Sequence, residues 1–127
     1  MIATEYALAR DGTGDLSRAT ERVERALLGA VMIVGLVPPN LPAVDDFMSE
    51  SHRIIWQAIL AVTARAQSPD LVLVGYELAK TDTEQRAGGS AYVSMLVDRV
   101  PCVDSIPVYA RLVKEAARMR KFKRMGA

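Results

Sequence analysis

Apolar residues recur at helical spacing along most of the chain. Val23, Leu27, Ala30, Val31 and Val34 fall three or four residues apart and predict an amphipathic helix. It is expected to start after Asp15 or Ser17, either of which suits a helix cap. Gly35 and Pro38-Pro39 end it, because proline lacks the amide donor and clashes with the preceding turn. A second helix is expected from about Ser49 or Ser51 to Ala66, with Ile54, Ile55, Ala58, Ile59 and Val62 as its buried stripe. Trp56 and Leu60 widen that stripe, so burial on two sides is anticipated. The stretch from Asn40 to Phe47 is ambiguous: Pro42 suits the opening of a one-turn helix, and Phe47 is expected to plug the core.

Ser68-Pro69-Asp70 reads as a turn and cap before Leu71. Leu71 to Val74 alone fits a buried strand as well as a helix, whereas Tyr76 to Lys80, with Leu78 and Ala79, favours a helix. Thr81 to Gly89 is polar and is expected to be a loop. Val93, Leu96, Val97 and Val100 form a further apolar period, which Pro101 to Ser105 interrupts. Ile106, Tyr109, Ala110, Val113 and Ala117 then continue at heptad-like spacing. Two amphipathic helices across a short break predict an antiparallel helical hairpin. A helix from Asp104 to Met125 is roughly 30 Å long at ~1.5 Å per residue and is expected to project beyond a small body. The expected fold is all-α: a flexible arm over residues 1–16, a small helical head over 17–89 and the antiparallel helical hairpin over 90–125.

Composition narrows the function classes. At 127 residues, half of them hydrophobic, the chain suits one domain with a real core. Sixteen Lys and Arg against fifteen Asp and Glu leave a net charge of +1, so there is no global attraction to nucleic acid. A single cysteine, Cys102, excludes a disulfide within the chain and argues against a cysteine-based zinc site. That usage fits a reducing cytoplasm. Met1 to Asp15 has no apolar signal core, and the longest apolar run, Ala26 to Val37, is too short to span a bilayer. A soluble, cytoplasmic protein is expected, without a membrane partner.

Chemistry-bearing motifs are sparse. No Gly-x-x-x-x-Gly-Lys-Ser/Thr loop is present, and Gly88-Gly89 reads as a turn. His52 is the sole histidine and is expected to be a hydrogen-bonded helix residue at the head surface. Asp45-Asp46 reads as loop solvation or helix-start charge, and Glu21, Glu24 and Arg25 as a solvated helix face. Cys102 reads as a partly buried, inert thiol. No catalytic, cofactor-binding or metal-ligating residue is therefore assigned. The charge asymmetry lies at the end: Arg111, Lys114, Arg118, Arg120, Lys121, Lys123 and Arg124 are opposed only by Glu115. Favourable charge near a helix C-terminus is the simpler account. The functional alternative is a basic patch of Arg118, Arg120, Lys121, Lys123 and Arg124 that meets an acidic partner or phosphate, although Phe122 alone gives no base-stacking platform.

Taken in order, several segments resemble the N-terminal domain of the DnaB-type replicative DNA helicases. Glu24-Arg25-Ala26-Leu27-Leu28-Gly29-Ala30 is similar to that family's opening helix, and Asp46-Phe47 with His52-Arg53-Ile54-Ile55 to its Asp-Phe…His-Arg-x-Ile segment. Pro69-Asp70-Leu71-Val72-Leu73-Val74 and Gly88-Gly89-Ser90-Ala91-Tyr92-Val93 resemble its Val-Asp-Leu-Val-Thr-Val/Leu and Gly-Gly-x-Ala-Tyr-Leu segments. Val100-Pro101, Ile106 and Tyr109-Ala110-Arg111-Leu112-Val113-Lys114-Glu115 follow its hairpin turn and last helix. The resemblance covers about Glu21 to Arg120; residues 1–16 and 121–127 carry none. The proline-rich Val37-Pro38-Pro39-Asn40-Leu41-Pro42, Pro107 after Ile106, and Val103-Asp104 in the turn depart from the family pattern.

What the resemblance implies is a non-catalytic collar domain that self-associates and recruits primase during DNA replication, the motor ATPase domain being absent from these residues. Its paired hairpins imply a homo-oligomer, a dimer or a trimer of dimers. Implied partners are the helicase-binding domain of primase and, further, a helicase loader, with nucleic acid at most a weak or indirect ligand. Ile106 and Leu112 occupy the aliphatic positions implied for primase contact, with ordinary hairpin packing as the alternative for both. Ile106 fits the heptad seam and reads equally as core, whereas Leu112 lies off it and is the better interaction candidate. Leu96, Val100, Ile106, Tyr109 and Val113 are the candidates for hairpin self-association. Two alternatives stand beside this reading: a stand-alone regulator or mimic that binds helicase or primase, and a small nucleic-acid-binding helical protein that uses its basic last helix.

Overall fold

The computed structural model describes residues 14–126, and the helices it contains follow the apolar periods. They are α1 (Gly14–Val34), α2 (Glu50–Ala64), α3 (Leu71–Lys80), α4 (Ser90–Asp98) and α5 (Ile106–Gly126), with 3-10 turns at Val44–Asp46 and Val103–Ser105. The expected arm lies largely outside the described residues. Its last three positions are already helical, so α1 begins ahead of the start expected after Asp15 or Ser17.

Helix α1 is the centre of the packing. It lies against α5, α4 and α2, while α3 packs on α2 and α4. The start of α5 meets the chain just beyond α1, where Asn40 Nδ2 donates to the Pro107 carbonyl at 3.1 Å. The far half of α5 borders Leu16 to Val23 at the other end of α1, so the first and last helices run antiparallel. Helices α4 and α5 are joined across the predicted break at Pro101 to Ser105, but their apolar faces turn chiefly onto α1. One core consequently includes Leu27, Leu28 and Val31 of α1, Ile55 and Ile59 of α2, Val74 and Leu78 of α3, Leu96 of α4, and Ala110 and Val113 of α5. The anticipated division at 89/90 runs through this core and does not separate two units.

Close approach of α1 and α4 depends on one missing side chain. A Cβ on Gly29 would collide with the Leu96 carbonyl oxygen and lie within 2.6 Å of Val100 Cγ2. The expected buried stripe of α2 is buried in full, Trp56 included. Trp56 donates its indole N–H to the Pro42 carbonyl at 2.9 Å, and its ring lies 5.2 Å from that of Phe47. The Asn40–Phe47 ambiguity thus resolves into a proline-rich lid whose backbone caps the tryptophan.

Leu71 to Val74 is helical because Asp70 caps it: its carboxylate accepts from the Leu73 amide at 2.8 Å, and Val74, Glu77 and Leu78 then face inward. Glu77 is nearly buried and accepts from Arg65 at 2.6 Å, with Lys80 Nζ 3.4 Å away, so it pins α3 to the end of α2. The Arg65 guanidinium holds the Glu77 carboxyl below its ordinary value, against the opposing effect of burial.

Two outcomes follow from this packing. Gly29→Ala should lower the unfolding free energy in urea by about 1–3 kcal/mol, since the α1–α4 backbones must part; an unchanged midpoint would contradict their approach. Glu77 has a depressed folded-state pKa. Its stabilising contribution is therefore complete above the ordinary glutamate range and is lost as pH falls through the folded-state value. Glu77→Gln should flatten the acid limb of a stability–pH curve while leaving its shape above neutrality unchanged.

Candidate functional site

Glu24 and His52 sit in register with the apolar stripes of their helices. Glu24 precedes Leu27, Leu28 and Val31 by three, four and seven positions, and His52 precedes Ile55, Trp56 and Ile59 by the same intervals. Both side chains therefore point into the core, where each is essentially without solvent contact. This corrects the expectation that Glu24 belongs to a solvated face and His52 to the head surface. The acid and the histidine lie at the centre of two buried faces, and that register was the available signal.

Burial requires partners, and the structure supplies them. Glu24 Oε2 accepts from the Met48 amide at 2.6 Å, and Oε1 lies 2.7 Å from His52 Nδ1. A carboxylate only accepts, so Nδ1 carries the proton it donates. His52 Nε2 lies 2.7 Å from the Tyr92 hydroxyl. Burial pushes the Tyr92 phenol above its usual value, with the neighbouring Arg25 guanidinium opposing the rise. The phenol thus keeps its proton, and its hydroxyl shares one hydrogen bond with His52 Nε2. Arg53 donates to the Phe47 and Met48 carbonyls at 3.0 and 2.9 Å, fixing the same loop from beneath. Gly88 has φ +108°, and a Cβ there would lie 2.7 Å from Tyr92 Cδ2, so this glycine gives the tyrosine its room. The order Glu–His–Tyr is that of a proton relay, but its first two members are sealed by the packing of α1 and α2. Its evident effect is to clasp α1, α2 and α4 together. Among the described residues, no group of three His, Cys, Asp or Glu side chains is placed to hold a metal ion.

The residues singled out for association divide by burial. Leu96, Ile106 and Val113 are core residues within the single chain, and Val100 and Tyr109 pack against that core, half-buried. They do not form an exposed seam, because α1 covers the face they share. A charge at Val113 would disrupt the protomer itself before any assembly. Ile106 loses its candidacy as an accessible contact for the same reason. Leu112 stays outside, 37% exposed.

Leu112 lines a groove of about 440 Å³ between the first half of α1 and the stretch of α5 from Leu112 to Lys123. Leu16, Val23, Met48 and Met119 complete its apolar walls, and Arg120 and Lys123 stand at its cationic end. Arg120 is drawn out of the expected basic patch: it is half-buried and donates to the Asp46 carbonyl at 2.8 Å. Arg118, Lys121, Lys123 and Arg124 remain exposed on the last turns. Cys102, expected to be partly buried, is exposed in the turn between α4 and α5. No helix among the described residues is long and apolar enough to cross a membrane.

Comparison with known proteins agrees with this architecture. Residues 17–115 match the family model of the DnaB-like helicase N-terminal domain. The replicative DNA helicase DnaB of Geobacillus stearothermophilus is 38% identical over 101 residues, covering 77% of this chain and 22% of that protein. The replicative DNA helicase DnaC of Bacillus subtilis (strain 168) is 36% identical over 104 residues, with the same coverages of 77% and 22%. The chain thus spans about a fifth of the length of these relatives. The crystal structure of the N-terminal domain of DnaB helicase from Mycobacterium tuberculosis superposes with a TM-score of 0.74 at 29% identity, covering 82% of this chain and 76% of that one.

Removing one member of the buried clasp should be costly. His52→Ala or Glu24→Ala is expected to lower the unfolding free energy by about 3 kcal/mol or more, since each strands a buried polar partner. Tyr92→Phe, which removes one hydrogen bond, should cost about 1 kcal/mol. Denaturant titration of the three variants checks this. Losses within about 0.5 kcal/mol would mark the residues as surface groups.

Proposed function

The chain belongs to the family of DnaB-like helicase N-terminal domains, and from that premise we propose that it is the non-catalytic collar module of a replicative DNA helicase, which self-associates and recruits primase during DNA replication. Its working surface is the outward face of α5. One observation carries the reading: with Ile106 sealed in the core, Leu112 is the expected contact residue that keeps solvent access, and it opens onto an apolar groove with cations at one end. A partner helix laying aliphatic side chains into that groove would bury apolar area, and acidic residues at its end would meet Arg120 and Lys123. The helicase-binding domain of primase is the partner this reading favours. Self-association uses the last turns of the same helix, where Phe122 is 75% exposed.

Nothing in the groove carries out chemistry; its contribution is apolar burial, with charge setting orientation and encounter rate. Specificity then resides in which aliphatic positions meet the walls formed by Leu112 and Met119.

Light scattering across a concentration series, combined with calorimetric titration of the primase domain, tests both halves. The unmodified chain should show a mass rising with concentration and should bind the primase domain. Leu112→Glu should weaken primase binding at least tenfold with an unchanged unfolding midpoint, and Phe122→Glu should shift the series toward monomer. Full binding by Leu112→Glu would move the contact to another face.

A further inference from the structure

A second concave site lies on the opposite flank of α1, where α1 and the end of α4 enclose about 250 Å³. Its rim carries three arginines: Arg22 and Arg25 from α1 and Arg99 from the residue that ends α4. Its floor is apolar, formed by Ala26, Met95, Leu96 and Pro101. Arg22 and Arg99 are exposed and make no ion pair among the described residues. Arg25 is half-buried and held beside the Tyr92 phenol, with Glu21 close to the same hydroxyl.

We propose that this pocket is a binding site for an acidic peptide segment of a partner protein: an aliphatic side chain enters the floor, and flanking carboxylates pair with Arg22 and Arg99. The chemistry selects this ligand. Guanidinium groups present paired donors that match a carboxylate. A bare phosphate would use the arginines but leave the apolar floor unfilled, whereas an aliphatic side chain fills it. Met95 in the floor is a flexible, polarisable surface that adapts to the inserted group. A nucleic-acid backbone calls for a track of cations, and here they form one cluster on a chain of net charge +1. Because Gly29 fixes the α1–α4 distance and Tyr92 lies beside Arg25, the pocket is built from the same close contact that carries the fold. The proposal is independent of the groove beside Leu112, which lies on the other side of α1.

The test is an amide-resolved NMR titration of the full 127-residue chain. The probe is an acetylated peptide of sequence Glu-Asp-Leu-Glu, with the neutral Gln-Asn-Leu-Gln peptide, inorganic phosphate and a short single-stranded oligonucleotide run in parallel. The acidic peptide should give saturable shifts at Ala26, Met95 and Leu96, and the neutral peptide should give none at the same concentration. Arg22→Ala combined with Arg99→Ala should weaken the acidic peptide at least tenfold while leaving the unfolding midpoint in place, since both side chains are exposed. Absence of shifts at millimolar acidic peptide, or equal response to the neutral one, would overturn the proposal. So would stronger binding by phosphate or the oligonucleotide, which would make the arginines a phosphate site.

Discussion

The carboxylate of Glu24, held without solvent at the centre of α1, sets conditions that the rest of the structure meets. A buried charge or acid is tolerated only when its lone pairs are filled. Here the donors, the Met48 amide and His52, come from one segment more than twenty residues away, and His52 in turn needs Tyr92. Satisfying one acid therefore fixes the loop before α2, the rotation of α2 and the rotation of α4. Nonspecific apolar packing would allow each helix to turn or slide at small cost. A fully connected polar chain does not, because any slip strands a buried group. The glycines of the family segments serve the same arrangement: Gly29 lets α4 close onto α1, and Gly88 clears the tyrosine ring.

This explains why so many residues of the recognisable segments do no surface work. Glu24, His52, Arg53, Gly88 and Tyr92 all fall in the family-like segments, and all of them build the clasp or hold the loop around it. The two surface concavities are lined by other positions: Leu112 and Met119 beside the groove, and Arg22 and Arg99 beside the second pocket. The division follows from geometry. A clasp has stringent steric and hydrogen-bonding requirements, while an apolar groove accepts any aliphatic side chain of suitable size.

Helix α1 also determines which faces are available. By taking α4 and α5 on its flanks, it occupies the apolar stripe that a helical hairpin would otherwise use for mutual packing or for a second copy. The outward side of α5 is then what remains exposed, and the basic run is divided. Arg120 turns inward to the Asp46 carbonyl, while Arg118, Lys121, Lys123 and Arg124 stay in solvent.

The sequence by itself determined the helices, because an apolar period of three or four residues has one low-energy solution, and it placed the stops at Gly35, Pro38 and Pro101. It also identified the core positions of α2 and the segments that mark the family. Leu71 to Val74 stayed open at that level, because a short apolar run fits two states. Only the tertiary structure decided that α1 runs between α4 and α5, which settled Ile106 as core rather than contact and buried Val113 within the single chain. It alone showed Glu24 and His52 paired, since local charge pattern makes a glutamate on a helix look solvated until its partner arrives from a distant segment. Periodicity reports which face of a helix is apolar; what that face meets is a property of the whole chain.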